Sequence, residues 1–245
     1  MPDPIFALRR LAEIYDVLEG DRDDLDAYAA IVAERGARSV LDIGCGTGAL
    51  ACRLAVHGID VVGVDPAAAS LEVAARKEGA DRVRWLLGDA TALPTMQVDL
   101  ALMTGNVAQV FVDDAAWMAT LRAIRESLRP DGVLVFEVRD PSRAAWTEWN
   151  RDDSFERVDL AGVGTVQHWV DVTAVAGELV AFTWTFHFER SGETVTSDSV
   201  LRFRTRTTIE GSLRAAGFEV REVRDAPDRP GLEFVFLAAP THADA

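Results

Sequence analysis

Val40-Leu41-Asp42-Ile43-Gly44-Cys45-Gly46-Thr47-Gly48-Ala49-Leu50 is a short apolar run, then three glycines at alternate positions, then the start of a helical pattern. It predicts a strand, a tight turn and a helix. With no Cβ at every second position, the backbone bends sharply and lets a ligand approach closely. The free N–H groups at the helix start favour a negative charge or a polar ligand edge. A nucleotide-like ligand suits such a turn.

Strand and helix patterns alternate on the C-terminal side. Val61-Val62-Gly63-Val64-Asp65 is a buried-type strand ending in an acid, 17 residues beyond Gly48. Pro66 suits the first position of the next helix, which is expected to run to about Glu78 and close at Gly79. Val83-Arg84-Trp85-Leu86-Leu87 is the third strand and Val98-Asp99-Leu100-Ala101-Leu102-Met103-Thr104 the fourth. Asp113 or Asp114 caps the following helix, and its stripe Trp117, Leu121, Ile124, Leu128 faces a core. Leu128 to Gly132 breaks that helix, and a fifth strand covers Val133 to Arg139. Such alternation gives a parallel sheet, with ligands beyond the carboxyl ends of its strands.

Gly44-Cys45-Gly46-Thr47-Gly48-Ala49 fits the dinucleotide fingerprint G-x-G-x-x-G/A, yet Asp42, just before the glycines, would repel a pyrophosphate. The stretch Asp42-Ile43-Gly44-Cys45-Gly46-Thr47-Gly48 resembles the first motif of class I S-adenosylmethionine-dependent methyltransferases. Gly88-Asp89-Ala90 with Leu93-Pro94 resembles their G-D-A…L-P segment. Leu128-Arg129-Pro130-Asp131-Gly132-Val133-Leu134-Val135-Phe136 resembles the segment entering their fifth strand. The likeness covers about residues 37–140 and 207–238.

The resemblance implies an α/β, Rossmann-like fold: a seven-stranded, mostly parallel sheet with helices on both faces and an antiparallel last strand. It implies S-adenosyl-L-methionine as cofactor and S-adenosyl-L-homocysteine as product. Gly44, Cys45, Gly46, Thr47 and Gly48 would wrap the methionine portion, with Asp42 suited to its ammonium. Asp65, followed by Pro66, would take the ribose hydroxyls. Gly88, Asp89 and Ala90 would read the adenine edge. Thr104, Gly105, Asn106 and Gln109 would line the space between cofactor and acceptor. The Asn/Asp-Pro-Pro-Tyr/Phe motif of enzymes that methylate nucleic-acid bases is missing there.

Three regions lie outside the βα alternation. Residues 1–36 form an expected helical cap, with helices over 5–18 and 24–35. Tyr15 on this cap is either part of an apolar face or within reach of the cofactor carboxylate. Residues 141–206 hold Trp146, Trp149 and three alternating runs near 163–173, 179–189 and 194–203. They predict an inserted antiparallel β meander, acting as substrate lid, dimerisation surface or scaffold. Phe182, Trp184, Phe186 and Phe188 share one face, too apolar to be left wet. Thr207-x-x-Glu210 reads as a capping box opening a last helix that ends at Gly217. Two final strands follow, over Phe218 to Val220 and Leu232 to Leu237, and a frayed tail after Pro240.

The core segments are 37–140 and 207–240. Candidate general bases are His168, Glu137 and, more faintly, His187. Gln109, Arg139 and His168 are candidates for holding the acceptor.

Composition narrows the partners. The 245 residues are 49% hydrophobic and carry a net charge of −15, from 40 acidic and 25 basic residues, with no basic block. That argues against a nucleic-acid acceptor. Cys45 and Cys52 cannot bridge across an intact helix, and no metal-ligand spacing occurs. No apolar run reaches membrane length and no leader pattern opens the chain, so the expected location is the cytoplasm. The expected activity is in-line methyl transfer to a small molecule. The alternatives are an NAD(P)-dependent oxidoreductase and a non-catalytic adenosylmethionine-binding protein. A homodimer through the inserted sheet is one candidate assembly, and the sequence leaves the oligomeric state open.

Overall fold

The computed structural model describes residues 1–20 and 22–241. The elements run α1 (Pro4–Ala7), α2 (Arg9–Leu18), α3 (Asp24–Glu34), β1 (Ser39–Ile43), α4 (Ala49–Val56), β2 (Asp60–Asp65), α5 (Ala68–Ala74), β3 (Val83–Leu87), β4 (Val98–Met103), α6 (Asp114–Ser127) and β5 (Leu128–Arg139). There follow α7 (Arg151–Ser154), β6 (Glu156–Leu160), β7 (Gly164–Ala176), β8 (Leu179–Phe188), β9 (Glu193–Arg202), α8 (Arg206–Ala215), β10 (Phe218–Asp225) and β11 (Glu233–Pro240).

Seven strands form one sheet in the order β10-β11-β5-β4-β1-β2-β3. The five strands β5, β4, β1, β2 and β3 pair in parallel, and β11 is antiparallel to both β5 and β10. Parallel strands are covered on both faces, so they read as continuous apolar runs; Val40, Leu41 and Ile43 of β1 are all buried. One face packs Trp117, Leu121 and Ile124 of α6 with Ile209 and Leu213 of α8. The other packs Leu25, Tyr28, Ile31 and Val32 of α3 with Leu50 and Leu54 of α4. Asp113 caps α6 by accepting from the Ala116 N–H at 2.9 Å, and the expected stripe through Leu128 is buried. From β1 the chain winds outward to β2 and β3, then returns to β4 and β5 on the other side. The crevice where ligands sit in such sheets therefore opens at the carboxyl ends of β1 and β4.

The insertion is a four-stranded antiparallel sheet, β6-β7-β8-β9. Its fourth strand, β6, escapes the sequence pattern. It is short, with Glu156, Arg157 and Asp159, as suits an edge strand that meets one neighbour. The row of aromatics packs inward as expected, and the chain itself supplies the cover. Leu11 and Ile14 of α2 pack on Val166, Phe186 and Phe188. The Arg10 guanidinium lies 3.5 Å from the Phe188 ring centroid.

Several local expectations are corrected. The helix over 5–18 is two, because Leu8 is extended (φ −84°, ψ 118°) while the Ile5 N–H donates to Ser197 Oγ in the inserted sheet. Pro66 does not open a helix. Ala67 is the N-cap and α5 ends at Ala74, well short of Glu78. The capping residue of α8 is Thr205, whose Oγ1 accepts from the Thr208 N–H at 3.2 Å; Glu210 instead pairs with Arg206. The strand β5 already begins at Leu128. Of the expected frayed tail, Thr241 is held by its N–H to the Gly217 carbonyl at 2.8 Å, and residues 242–245 lie outside the described residues. Among the described residues no helix is long and apolar enough to cross a membrane.

Gly63 of β2 pairs with Asp42 and lies under the glycine turn. A Cβ there would stand 2.8 and 2.9 Å from Trp85 ring atoms and 3.0 Å from Cys45 Sγ. Gly63→Ala is therefore expected to lower stability by about 1–3 kcal/mol through overpacking, read as a lower urea midpoint at unchanged m-value.

Candidate active site

The glycine turn sits over the carboxyl end of β1. Gly44, Gly46 and Gly48 all have positive φ (69°, 53° and 74°), where side chains are strained. The three glycines differ in what they face. A Cβ on Gly44 would meet Val107 at 2.6 Å and one on Gly48 would meet Trp85 at 2.5 Å, so these two pack on protein. A Cβ on Gly46 meets nothing within 4 Å, and the same holds for Gly105 across the crevice. Those two glycines border open space. Cys45 is buried, and burial holds its thiol well above the ordinary range, so it packs rather than reacts. Thr47 is buried and its hydroxyl donates to Asp16 Oδ1 at 2.5 Å.

Asp42 lies beneath this turn, 1% exposed, with Oδ1 unpartnered. Burial raises its carboxyl to about 7, helped by Asp65 and Glu137 and opposed by Arg22. Asp65, at the end of β2, accepts from Gly46 N–H at 2.8 Å through Oδ2 and from Ala67 N–H at 2.8 Å through Oδ1. It thus ties the glycine turn to the next helix. A carboxylate offers about four lone-pair sites, so capacity remains for a diol. Pro66 beside it is exposed. At the end of β3, Gly88 donates to the Asp65 carbonyl at 3.1 Å. Asp89 Oδ1 takes the Thr91 N–H at 2.8 Å, and Ala90 is buried. Asp42, Asp65 and Asp89 therefore stand at the ends of three neighbouring strands.

The other bank is a polar network at the ends of β4, β5 and β11. Thr104 and the exposed Gly105 lead into Asn106, a left-handed residue with φ 60°. The Asn106 N–H donates to Glu137 Oε1 at 2.6 Å and its Nδ2 to Glu233 Oε1 at 3.3 Å. Burial lifts Glu137 to about 7, against the Asn106 N–H and the Tyr28 hydroxyl, which favour its charge. Glu137 thus supports the turn after β4 from below. Gln109 Oε1 accepts from Arg139 Nη1 at 3.2 Å. Arg139 also lies 3.8 Å from Glu233 and 5.5 Å from the Trp149 ring centroid, while Glu233 takes Arg229 Nη1 at 2.8 Å. Asn106 Oδ1, Gln109 Nε2 and Glu137 Oε2 are buried without partners.

The inner face of the inserted sheet supplies a wall. Trp149 meets Phe182 edge-on at 4.9 Å, and Trp146 meets Phe203 at 4.6 Å. His168 lies further along β7, 5% exposed, 6.0 Å from the Trp184 centroid and 6.1 Å from that of Phe186. Neither ring nitrogen has a hydrogen bond, and Glu156 Oε2 lies 3.6 Å from Nε2. Burial lowers the imidazole pKa, which Glu156 partly offsets. His187 is on the opposite face, bonded to Thr194 Oγ1 at 3.0 Å. Tyr15 on α2 packs edge-on against Phe6 at 5.4 Å; its phenol lies beside Glu19, and burial raises its pKa.

Sequence reasoning missed Tyr28, Glu233, Arg229, Arg22 and Asp16. Tyr28 lies on the buried face of α3, where the apolar helical pattern masks it. Glu233 carried a signal, an acid opening an otherwise apolar strand. Of the site residues expected from sequence, the structure gathers Asp42, the three glycines, Asp65, Asn106, Gln109, Glu137 and Arg139 at the carboxyl ends of the strands.

These groups fit S-adenosyl-L-methionine. An unpaired buried carboxylate under a turn with open space suits a ligand carrying ammonium and sulfonium charges, and would oppose a pyrophosphate. Among the described residues no group of three or more His, Cys, Asp or Glu is placed to hold a metal.

Residues 40–132 match the methyltransferase domain family. Cypemycin N-terminal methyltransferase of Streptomyces sp is 30% identical over 146 residues, 58% of this chain and 60% of that protein. The chain spans about half the length of the curated relatives it matches. Among solved structures, the CcbJ methyltransferase from Streptomyces caelestis aligns with TM-score 0.77 at 22% identity, over 95% of this chain and 96% of that one. SAM-bound CalS10, an amino pentose methyltransferase from Micromonospora echinaspora, aligns with TM-score 0.71 at 22% identity, over 91% and 94%.

Asp42 carries a stability consequence. Its folded pKa, about 7, exceeds the 3.8 of an unperturbed aspartate. The folded state therefore holds the proton more tightly, and stability falls as pH rises between those values. Asp42→Asn removes that loss. Without ligand, the variant is expected to be more stable than the parent by about 1–3 kcal/mol at pH 8. The gain should fade towards pH 4, and melting curves across this range check it.

Proposed function

We propose that this chain, a class I S-adenosylmethionine-dependent methyltransferase by fold and domain match, moves a methyl group to a small-molecule acceptor. The observation that carries the reading is the unpartnered carboxylate of Asp42 beneath a turn whose Gly46 borders open space. The cofactor supplies an already activated sulfonium methyl, so the protein mainly has to bind, orient and exclude water.

In this reading Asp42 faces the ammonium of the methionine portion, and Gly44 to Gly48 provide the cradle. Asp65 accepts from the ribose hydroxyls with its remaining lone pairs while holding the turn. Asp89 and the Ala90 N–H read the adenine edge. Thr104, Gly105 and Asn106, propped from below by Glu137, line the boundary between cofactor and acceptor. The helices of 1–36 act as a cap on the core of 37–140 and 207–240, and the sheet of 141–206 as the acceptor wall. Trp149 and Trp184, both half-buried, offer flat apolar surface there. Gln109 and Arg139 provide polar contacts for the acceptor. His168 is kept neutral by burial and accepts a proton from an acceptor that arrives protonated; Glu156 offsets the imidazolium charge.

The repulsion expected between Asp42 and a pyrophosphate counts against the nicotinamide alternative. Two buried free cysteines agree with a cytoplasmic setting.

A thermal-shift panel tests the cofactor. S-adenosyl-L-methionine and S-adenosyl-L-homocysteine should each raise the midpoint, about 2.7 kcal/mol of stabilisation at a hundred times the dissociation constant. NAD and NADP should leave it unchanged; a shift with those alone overturns the reading. Two variants sharpen it. Gly46→Ala adds a methyl group in the cradle and should fold with about 1 kcal/mol of backbone strain, yet lose at least tenfold in affinity for S-adenosyl-L-homocysteine. Asp65→Ala should lose at least as much, since both the diol acceptor and the clamp on the turn go. Calorimetric titration reads both.

A further inference from the structure

The helix α2 touches both halves of the site. On one flank Leu11 and Ile14 pack on Phe186 and Phe188 of the inserted sheet, and Arg10 pairs with Glu193 there. On the other flank Asp16 Oδ1 accepts the Thr47 hydroxyl at 2.5 Å, inside the glycine turn. Asp16 Oδ2 meets Lys77 Nζ at 2.6 Å, just beyond α5. Thr47 is 4% exposed and the Asp16 side chain 33% exposed, so this bond is partly shielded from water. Arg10 and Asp16 are six residues apart, about 9 Å along a helix. The ten residues of α2 are thus a short rod bridging the acceptor wall and the cofactor turn.

The rod is jointed at its N-terminal end and followed by a flexible residue type. Leu8 before it is extended, and no side chain caps the helix there. Gly20, just after it, has φ 67°. A helix this short is not stable alone, so its flanking contacts fix where it lies. Among the described residues, the one side-chain hydrogen bond that reaches the glycine turn from α2 is made by Asp16.

We propose that Asp16 is a positioning residue for methyl transfer: it latches α2 to the cofactor turn, so that filling the turn fixes the helix packed on the acceptor wall. This rests on the cofactor reading above. The latch makes cofactor binding and cap ordering mutually favourable, and such coupling is reciprocal. Thr47 carries the second half of the latch, and its hydroxyl rather than its methyl group matters.

Hydrogen exchange of the α2 amides, with and without saturating S-adenosyl-L-homocysteine, tests this, with binding followed separately by calorimetry. In the parent protein the ligand should slow exchange of α2 about tenfold, within the usual range of coupling between sites. Thr47→Ser keeps the hydroxyl and should keep that slowing. Asp16→Ala and Thr47→Val each cut the same bond, and at ligand saturation the slowing should fall to about twofold or less. Since each cuts it from a different side, one suffices if the other fails to fold. The inference is overturned if the ligand binds and either cut variant keeps full protection, or if the parent shows none. A parent protein that binds no S-adenosyl-L-homocysteine instead overturns the cofactor reading, and this inference with it.

Discussion

An ionisable carboxyl group with an unpartnered oxygen, held at the centre of a parallel sheet, is the constraint on which the rest of the site depends. Asp42 occupies β1, the strand flanked by β2 and β4, and its surroundings raise it to about 7. A buried charge left alone costs several kcal/mol, and the usual relief is protonation or a partner. Neighbouring Asp65 and Glu137 add to the cost, and Arg22 only partly offsets it. A protein built for stability alone would place an apolar residue here. The arrangement makes sense when a cation completes it, and the glycine turn above leaves room at Gly46. Asp65 sets the height of that room by holding the Gly46 N–H.

The opposite bank works by a different principle. Glu137, Asn106, Gln109, Arg139, Glu233 and Arg229 form a chain of charge-assisted contacts in which several buried atoms remain unpaired. Half-satisfied networks are poor for stability and are found where a ligand or water supplies what is missing. The left-handed Asn106 fits the same picture. It is strained, and it is held by a short bond from its N–H to a carboxyl group beneath. Strain at Asn106 and the unpaired atoms of Asn106, Gln109 and Glu137 coincide at the crevice.

The bank at the ends of β1, β2 and β3 was legible in the sequence because it is local. Asp42 and its glycines, Asp65, and Gly88 to Ala90 each sit at a strand end, and strand ends are marked by apolar runs giving way to glycine and acid. The seven-stranded sheet was legible for the same reason. The opposite bank was legible in Asn106, Gln109, Glu137 and Arg139, but not in the contacts that join them to one another and to Glu233. Asn106 meets Glu233 across 127 residues, and Ile5 meets Ser197 across 192, so neither contact has a periodicity to reveal it. The break at Leu8 follows from such a contact, not from glycine or proline. The displaced cap of α8 has a humbler cause: Thr205, Thr207 and Thr208 crowd one turn, and spacing alone picks the wrong one. Asp65 delays α5 by holding the Ala67 N–H outside the helix.

The two banks also explain why His168 was hard to weigh from sequence. A histidine among valines on one strand face reads as core, and it is buried. Yet a core histidine normally spends at least one ring nitrogen on a hydrogen bond, and here neither is spent. The imidazole stands in an aromatic wall whose one end is sealed by Leu11 and Ile14 and whose other end meets Trp149 and Arg139. Burial keeps it uncharged, so a protonated acceptor would find a free lone pair rather than a competing cation. The same low polarity that makes the residue look structural is what would let it act on a proton.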